Sequence, residues 1–219
     1  MSFFSIVLGG AVIGVGYHFW RRRRDRQRTH FIDTYRFPER LRLKLAETYP
    51  HLEVPQQELV LQGLRDYFRL CQMAGRRMVA MPSQAVDVVW HEFILYTRQY
   101  GEFCRNGVGR FLHHTPSDAM PSAEVASAGI RRAWRLACIR EGIRPDQPDR
   151  LPLLFALDGE LAIADGFHYR LDCGAHPGRY RNGNTYCASH VGCGSGCAGG
   201  CGGDSASGDG GGCGGGGGD

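Results

Sequence analysis

The sequence predicts a mainly α-helical protein with an N-terminal transmembrane helix, a compact multi-helix domain and a disordered Gly/Cys-rich tail. Three observations support this prediction. A mostly apolar run opens the chain, apolar residues then recur at three- and four-residue spacing, and glycine dominates the end. The changes in composition predict an anchor with an Arg-rich flank at 1–28, a helical domain at 29–172, a Cys/His-rich segment at 173–201 and a disordered tail at 202–219.

The apolar run from Phe3 to Trp20 predicts the membrane anchor. As a helix it is about 27 Å long, enough to span the hydrocarbon core of a bilayer. Arginines follow directly, and the positive-inside rule then places the main domain in the cytoplasm. A cleavable signal peptide has its basic region before the apolar run, so the reversed order predicts an uncleaved, single-pass anchor. The membrane-flanking residues are Arg21, Arg22, Arg23 and Arg24.

The basic cluster after the apolar run accounts for the positive charge of the protein. The chain has 26 Lys and Arg against 22 Asp and Glu, a formal net charge of +4, and the part outside the cluster is about neutral. A nucleic-acid-binding domain should keep a basic face of its own. The composition therefore predicts no nucleic-acid partner, and the arginines suit anionic lipid headgroups instead.

Helical periodicity predicts helices in the domain at 38–48, 55–74 and 122–140, besides the central one described next. Residues 149–171 are ambiguous. A proline near their start suits the first turn of a helix, whereas two Asp-Gly pairs suit hairpin turns. A helix to about Leu161 followed by a short extended segment is the favoured interpretation.

The central stretch, Ser83 to His114, carries the densest functional-group chemistry of the chain. Its apolar residues fall on one stripe of a helix about six turns long, from the N-cap Ser83 to about Cys104. Asp87 and His91 are one turn apart on the flank of this helix, so they can touch. A carboxylate partner orients an imidazole and raises its basicity as a metal ligand. The structural alternative is a hydrogen bond that locks the helix against a neighbour.

Metal binding at the centre depends on the segment after this helix. His91 and Cys104 lie about 20 Å apart along an unbroken helix, so they cannot share an ion unless the helix breaks. Two glycines downstream allow the chain to turn back. Adjacent residues of an extended chain point to opposite faces, so only one of two neighbouring histidines is expected in a given site. The central candidates are His91, Cys104, His113 and His114, with Asp87 as an orienting residue; the alternative is that all are structural polar residues.

The run VDVVWHEFILYTRQYGEFC, continued by GRFLHHTP and later by LPLLFALDGELAIADGFHYRLDC, resembles the glycine-rich domain-containing protein family of bacteria and plants. The likeness covers roughly residues 37–175. It rests on a Trp-His pair, a Tyr-x-x-Phe-Cys step and a His-His-x-Pro step that occur in this order. The resemblance implies a helical domain and a Gly-rich tail, without an established reaction. Phe93 stands where a second histidine often occurs in this family.

The tail carries the stronger metal signal. Two Cys-x2-His steps supply four ligands for tetrahedral zinc, and further cysteines follow at close spacing. A reducing cytoplasm favours thiolate–metal chemistry over disulfides. The alternatives are free thiols, disulfides if the topology is inverted, and compositional drift. The predicted ligands are Cys173, His176, Cys187, His190 and Cys193, and zinc is the expected ion.

Three functions are compatible with these features. The favoured one is a membrane-anchored cytoplasmic binding or scaffold module, whose helical domain docks a protein partner and whose tail holds zinc. The second is a metal-dependent, hydrolase-like enzyme in which His91, His113 or His114 binds the metal and Asp87 or Glu92 orients a ligand or acts as base. A more remote hypothesis makes the Gly/Cys-rich tail a substrate for peptide modification. The sequence contains no Ser-His-Asp order and no dinucleotide-binding fingerprint.

Overall fold

The computed structural model describes residues 3–114, 123–171 and 185–187, with the backbone alone for 3–11, 123 and 185–187. Over these ranges the chain is mainly helical and compact, as predicted. The elements are α1 (Phe3–Thr34), α2 (Arg40–Thr48), α3 (Val54–Ala74), α4 (Gln84–Leu95), α5 (Thr97–Phe103), a π-helical turn (Cys104–Val108), α6 (Ala123–Glu141), α7 (Leu153–Glu160), β1 (His168–Arg170) and β2 (Thr185–Cys187).

Local side-chain chemistry fixes the start of two helices near the site. In α3 the side chain of Glu53 accepts from the backbone N–H of Gln56, while the Gln56 side chain accepts from the Glu53 N–H at 2.8 Å, a reciprocal capping box. In α4 the hydroxyl oxygen of Ser83 accepts from the backbone N–H of Val86 at 3.3 Å. Ser83 is thus the N-cap that the sequence predicts.

The first helix is one continuous element that contains both the apolar run and the arginines of the predicted anchor. It runs from the apolar run through the arginines Arg21–Arg24 to Thr34. Its last turns belong to the domain, because Ile32 is completely buried and Asp33 pairs with Arg69 of α3. In the part of the chain that the structure describes, no helix is both long and apolar enough to cross a membrane. The predicted transmembrane anchor, its arginine flank and the single-pass topology are therefore wrong.

Aromatic side chains form the centre of the core between α3, α4 and α5. The ring centroids of Phe68 and Phe103 are 4.6 Å apart, and those of Phe93 and Phe103 are 5.4 Å apart. Tyr35 and Phe37, from the segment after α1, add edge-to-face contacts at 4.8 Å to Phe103 and 5.4 Å to Phe93. Such geometry adds to the hydrophobic gain of burial. The cluster holds α4 and α5 against α3.

The helical interpretation of residues 149–171 is confirmed. α7 starts after Pro152 rather than at Asp149, and a short extended segment, β1, follows it. β1 pairs in parallel with β2, with Tyr169 opposite Tyr186. Because parallel strands run in the same direction, the chain leaves β1 and β2 at the same end of the pair.

Asp158 joins α7 to the start of α4. It is only 1% exposed, and its side chain has four donors. These are the Ser83 hydroxyl (2.6 Å) and the backbone N–H groups of Gln84 (2.6 Å), Ala85 (3.3 Å) and Phe167 (2.9 Å). The first N–H groups of a helix have no partner within it and attract anions. Asp158 therefore fixes the beginning of α4, the helix that carries the candidate site.

Candidate metal site

The central stretch forms two helices instead of the single long one expected. α4 ends at Leu95, Tyr96 leaves the helical region with φ −80° and ψ 56°, and α5 begins at Thr97. The chain then passes through the π-helical turn to Gly109, whose φ of +85° suits glycine. The predicted six-turn helix is wrong beyond Leu95, and the reversal brings the segment 111–114 back beside α4.

Asp87, His91 and His114 meet at this point. The Nδ1 atom of His91 lies 3.2 Å from Oδ2 of Asp87 and 2.9 Å from the Asp87 carbonyl oxygen. The Nε2 atom of His114 lies 3.3 Å from Oδ1 of Asp87. One potential ligand atom from each residue can be chosen so that all three lie within 4.8 Å of one another. The i,i+4 contact is the one that the sequence predicts; the approach of His114 depends on the tertiary fold.

The cluster has one shielded side and one open side. The side chains of Asp87 and His114 are 20% and 17% exposed, whereas that of His91 is 52% exposed. The ring of Trp90 lies 4.8 Å from that of His114, and the two histidine rings are 4.0 Å apart. Trp90 therefore forms a wall behind His114, while His91 faces solvent and leaves access for a small molecule.

The three side chains fit a divalent transition metal. Zinc binds imidazole nitrogen and carboxylate oxygen at about 2.0–2.2 Å, so neighbouring ligand atoms of a tetrahedral site are about 3.3 Å apart. Each histidine nitrogen lies at about this distance from a different carboxylate oxygen of Asp87, His91 at 3.2 Å from Oδ2 and His114 at 3.3 Å from Oδ1. Two histidines and one carboxylate are a donor set of zinc enzymes and of non-haem iron(II) oxygenases.

Two of the predicted central candidates lie outside the cluster. Cys104 is completely buried next to Tyr100, and burial raises the pKa of its thiol, which disfavours the thiolate that metals require. His113 is exposed and its ring packs against Phe111 at 4.8 Å. Of the two neighbouring histidines only His114 enters the cluster, as expected for extended chain.

The predicted tail ligands Cys173, His176, His190 and Cys193 lie outside the described residues, and of Cys187 only the backbone in β2 is described. Zinc binding by the tail stays a prediction.

Sequence reasoning missed the roles of three residues at the site. It treated Asp87 as an orienting residue, although its carboxylate is the shared centre of the cluster. It also missed Tyr100 and Asp158, which support the segment 111–114 and α4. A signal for Asp158 exists, since it is a lone acid in the apolar run LLFALDG. No local pattern identifies Tyr100, because its partner Leu112 is twelve residues away.

The fold and the cluster define a mainly helical protein with a site of two histidines and one carboxylate. A family model described as UCP032817-like matches residues 27–191, more than half of the chain. The protein belongs to the UCP032817-like family, and the expected membership of the glycine-rich domain-containing protein family is wrong. Much of the motif behind that expectation is core, including Trp90, Tyr100 and Phe103. No curated protein and no solved structure matches the chain.

Proposed function

We propose that this protein binds a divalent transition metal through Asp87, His91 and His114 and uses it in hydrolytic chemistry. Zinc is the ion that we expect. The proposal depends on one observation, the approach of three potential ligand atoms to within 4.8 Å of one another. The set is contributed by two separate parts of the chain, α4 and the segment 111–114. A metal at this position would therefore also tie that segment to the domain.

The surroundings of the cluster support a catalytic use of the ion. Three protein ligands leave a coordination position for water or substrate, as catalytic zinc sites do. A bound zinc ion would supply Lewis acidity and lower the pKa of a coordinated water towards neutrality.

Glu92, the other candidate base, is engaged elsewhere. Its side chain is 13% exposed and lies 3.5 Å from the guanidinium of Arg40. Asp87 is consequently the carboxylate that remains available to the site, and there it serves as a metal ligand. The scaffold role, the protein partner, the absence of nucleic-acid binding and the peptide-modification hypothesis all stay predictions, and a membrane tether is no longer part of any of them.

The test is the metal content of the full chain, purified under reducing conditions without a histidine tag. We expect about one equivalent of zinc to be lost in His114→Ala and in Asp87→Asn and to be retained in His113→Ala. His113→Ala is the matched control, because it removes an exposed neighbouring imidazole outside the cluster. Zinc that persists in His114→Ala and disappears in Cys187→Ser would move the site to the tail and refute the proposal.

Catalysis requires a second measurement. The zinc-loaded protein is incubated with activated carboxylic and phosphate esters, and product release is followed by absorbance. We expect hydrolysis that stops on chelation, returns on addition of zinc, and is absent in His114→Ala but present in His113→Ala. Equal rates in the two variants would exclude the central site as the hydrolytic centre.

A further inference from the structure

The segment that carries His114 has no regular secondary structure to hold it. Residues 111–114 form neither helix nor strand, and they connect directly to residues outside the described part of the chain. The imidazole of His114 nevertheless lies beside Asp87. Something other than a hydrogen-bond ladder must therefore fix this part of the backbone.

Leu112 is the point at which the segment is fixed. The hydroxyl of Tyr100 donates to its carbonyl oxygen at 2.7 Å, and Tyr100 itself is completely buried. The backbone N–H of Leu112 bonds to the sulfur of Cys104 in the π-helical turn. Both backbone polar groups of Leu112 thus have a buried side-chain partner, which is how an irregular segment becomes ordered.

Tyr100 is in turn oriented by the site helix. Its hydroxyl oxygen accepts a hydrogen bond from Nε1 of Trp90 at 3.1 Å. Trp90 precedes His91 in α4, and its ring also contacts His114 at 4.8 Å. The chain of contacts therefore begins and ends at the candidate site. A π-helical turn of this kind is rare and is often found at functional sites.

The geometry points to Tyr100 and Cys104 as positioning residues that place His114 against Asp87. In extended chain, residues two apart face the same side. Leu112 and His114 accordingly both face inward, at 5% residue exposure and 17% side-chain exposure, while His113 faces out. Anchoring Leu112 at both backbone groups thereby sets the position of His114. This inference rests on the proposed metal site for its functional meaning.

Tyr100→Phe tests the inference, with Tyr67→Phe as a matched control. Tyr67 is also buried, at 3% exposure, and its hydroxyl also donates to a backbone carbonyl, that of Val79, at 3.1 Å. Tyr100→Phe loses the hydrogen bonds to Leu112 and from Trp90, whereas Tyr67→Phe loses the one to Val79, so Tyr100→Phe should lose more thermal stability, and the two variants are compared by zinc affinity at a temperature where both are folded. We expect Tyr100→Phe to weaken zinc affinity about tenfold, in line with the loss of a residue that orients a ligand, and Tyr67→Phe to change it less than about twofold.

A second readout does not depend on metal. The ring protons of His114 experience the ring current of Trp90, so their NMR shifts report the position of His114 in the metal-free protein. We expect these shifts to move towards unstructured values in Tyr100→Phe and in Cys104→Ala. They should be largely preserved in Tyr67→Phe and in Cys104→Ser, whose oxygen can still accept from the Leu112 N–H.

Two outcomes separate the inference from the proposed function. If zinc binding requires His114 but Tyr100→Phe matches Tyr67→Phe in affinity and ring-proton shifts, the positioning role is overturned and the metal site stands. If zinc binding proves independent of His114 while the shifts still move in Tyr100→Phe and Cys104→Ala but not in Tyr67→Phe, the positioning role holds and the metal proposal fails.

Discussion

Replacing Asp158 tests how the site helix is held in place. Asp158→Ala removes the acceptor of four donors, of which the Ser83 hydroxyl and the Ala85 N–H are in buried bonds and the other two are partly buried. A buried donor left without a partner costs about 1–3 kcal/mol, and removing one side of a buried charged interaction costs about 3–5 kcal/mol. We expect Asp158→Ala to lower the free energy of unfolding by about 3–5 kcal/mol.

Asp158→Asn should fall between the wild type and Asp158→Ala. Each carboxylate oxygen of Asp158 serves two donors, and the amide keeps one oxygen while its NH2 group faces the other pair. The loss should be about half of that in Asp158→Ala. Urea unfolding followed by tryptophan fluorescence gives these values, since Trp134 contacts Phe155 of α7 and Trp90 lies in α4.

The exposed Asp146 provides the control for this series. Its carboxylate pairs with Arg144 in solvent, so Asp146→Ala should leave the urea midpoint unchanged. A loss below about 1 kcal/mol in Asp158→Ala, or equal losses in the Asn and Ala variants, would refute the view that Asp158 caps α4 through both carboxylate oxygens.

Three further predictions concern the core. Gly63→Ala places a Cβ atom 2.5 Å from Cδ1 of the buried Leu157. The overpacking should outweigh the gain in helix propensity, so urea unfolding should show a loss of about 1–2 kcal/mol in the free energy of unfolding. Gly101→Ala is the control, because its Cβ atom would meet nothing within 4 Å and the change should be neutral or stabilising. Burial raises the pKa of Asp66 despite the opposing Arg140. A carboxyl group whose pKa is higher in the folded than in the unfolded protein stabilises the folded state fully below the unfolded pKa of about 3.9, and this stabilisation is lost as the pH rises through the folded pKa. The free energy of unfolding of the wild type, relative to that of Asp66→Asn, should therefore fall from about pH 4 upwards. A rise over this range would contradict the prediction. Burial raises the pKa of Cys71 to about 12, so peptide mapping after alkylation at pH 8 should find Cys71 labelled only in urea.

Helix positions in this protein are largely readable from the sequence, because local signals specify them. The apolar stripe of α3, its Pro55 in the first turn and the Ser83 cap of α4 all coincide with helix starts in the structure. The prediction of a membrane anchor was wrong, because the local pattern does not show what the end of the helix packs against. An apolar run followed by arginines is typical of a membrane flank, yet here both belong to a helix whose end packs through Ile32 into the core.

The candidate site is predictable only in part. The i,i+4 spacing brings Asp87 and His91 together in any helix, so this contact follows from the sequence. The approach of His114 requires the break at Tyr96 and the anchoring of Leu112, which depend on contacts between side chains distant in sequence. Cys104 was named as a ligand because of its type, whereas its burial in the core determines its role.

Because α1 is continuous, a movement of its N-terminal part is transmitted to the residues that its C-terminal part contacts. From Phe3 to Arg24 it is a rod about 33 Å long, and its other end lies on the π-helical turn. There a Cβ atom on Gly107 would come within 2.9 Å of the Ile32 side chain, so the two elements are in close contact. The same turn supplies Cys104, which holds Leu112 two residues before His114. A tilt of the rod would act on α3, whose Gln72 side chain bonds to Asp25 and Thr29 of α1, and on this turn, which is connected to His114 through Leu112.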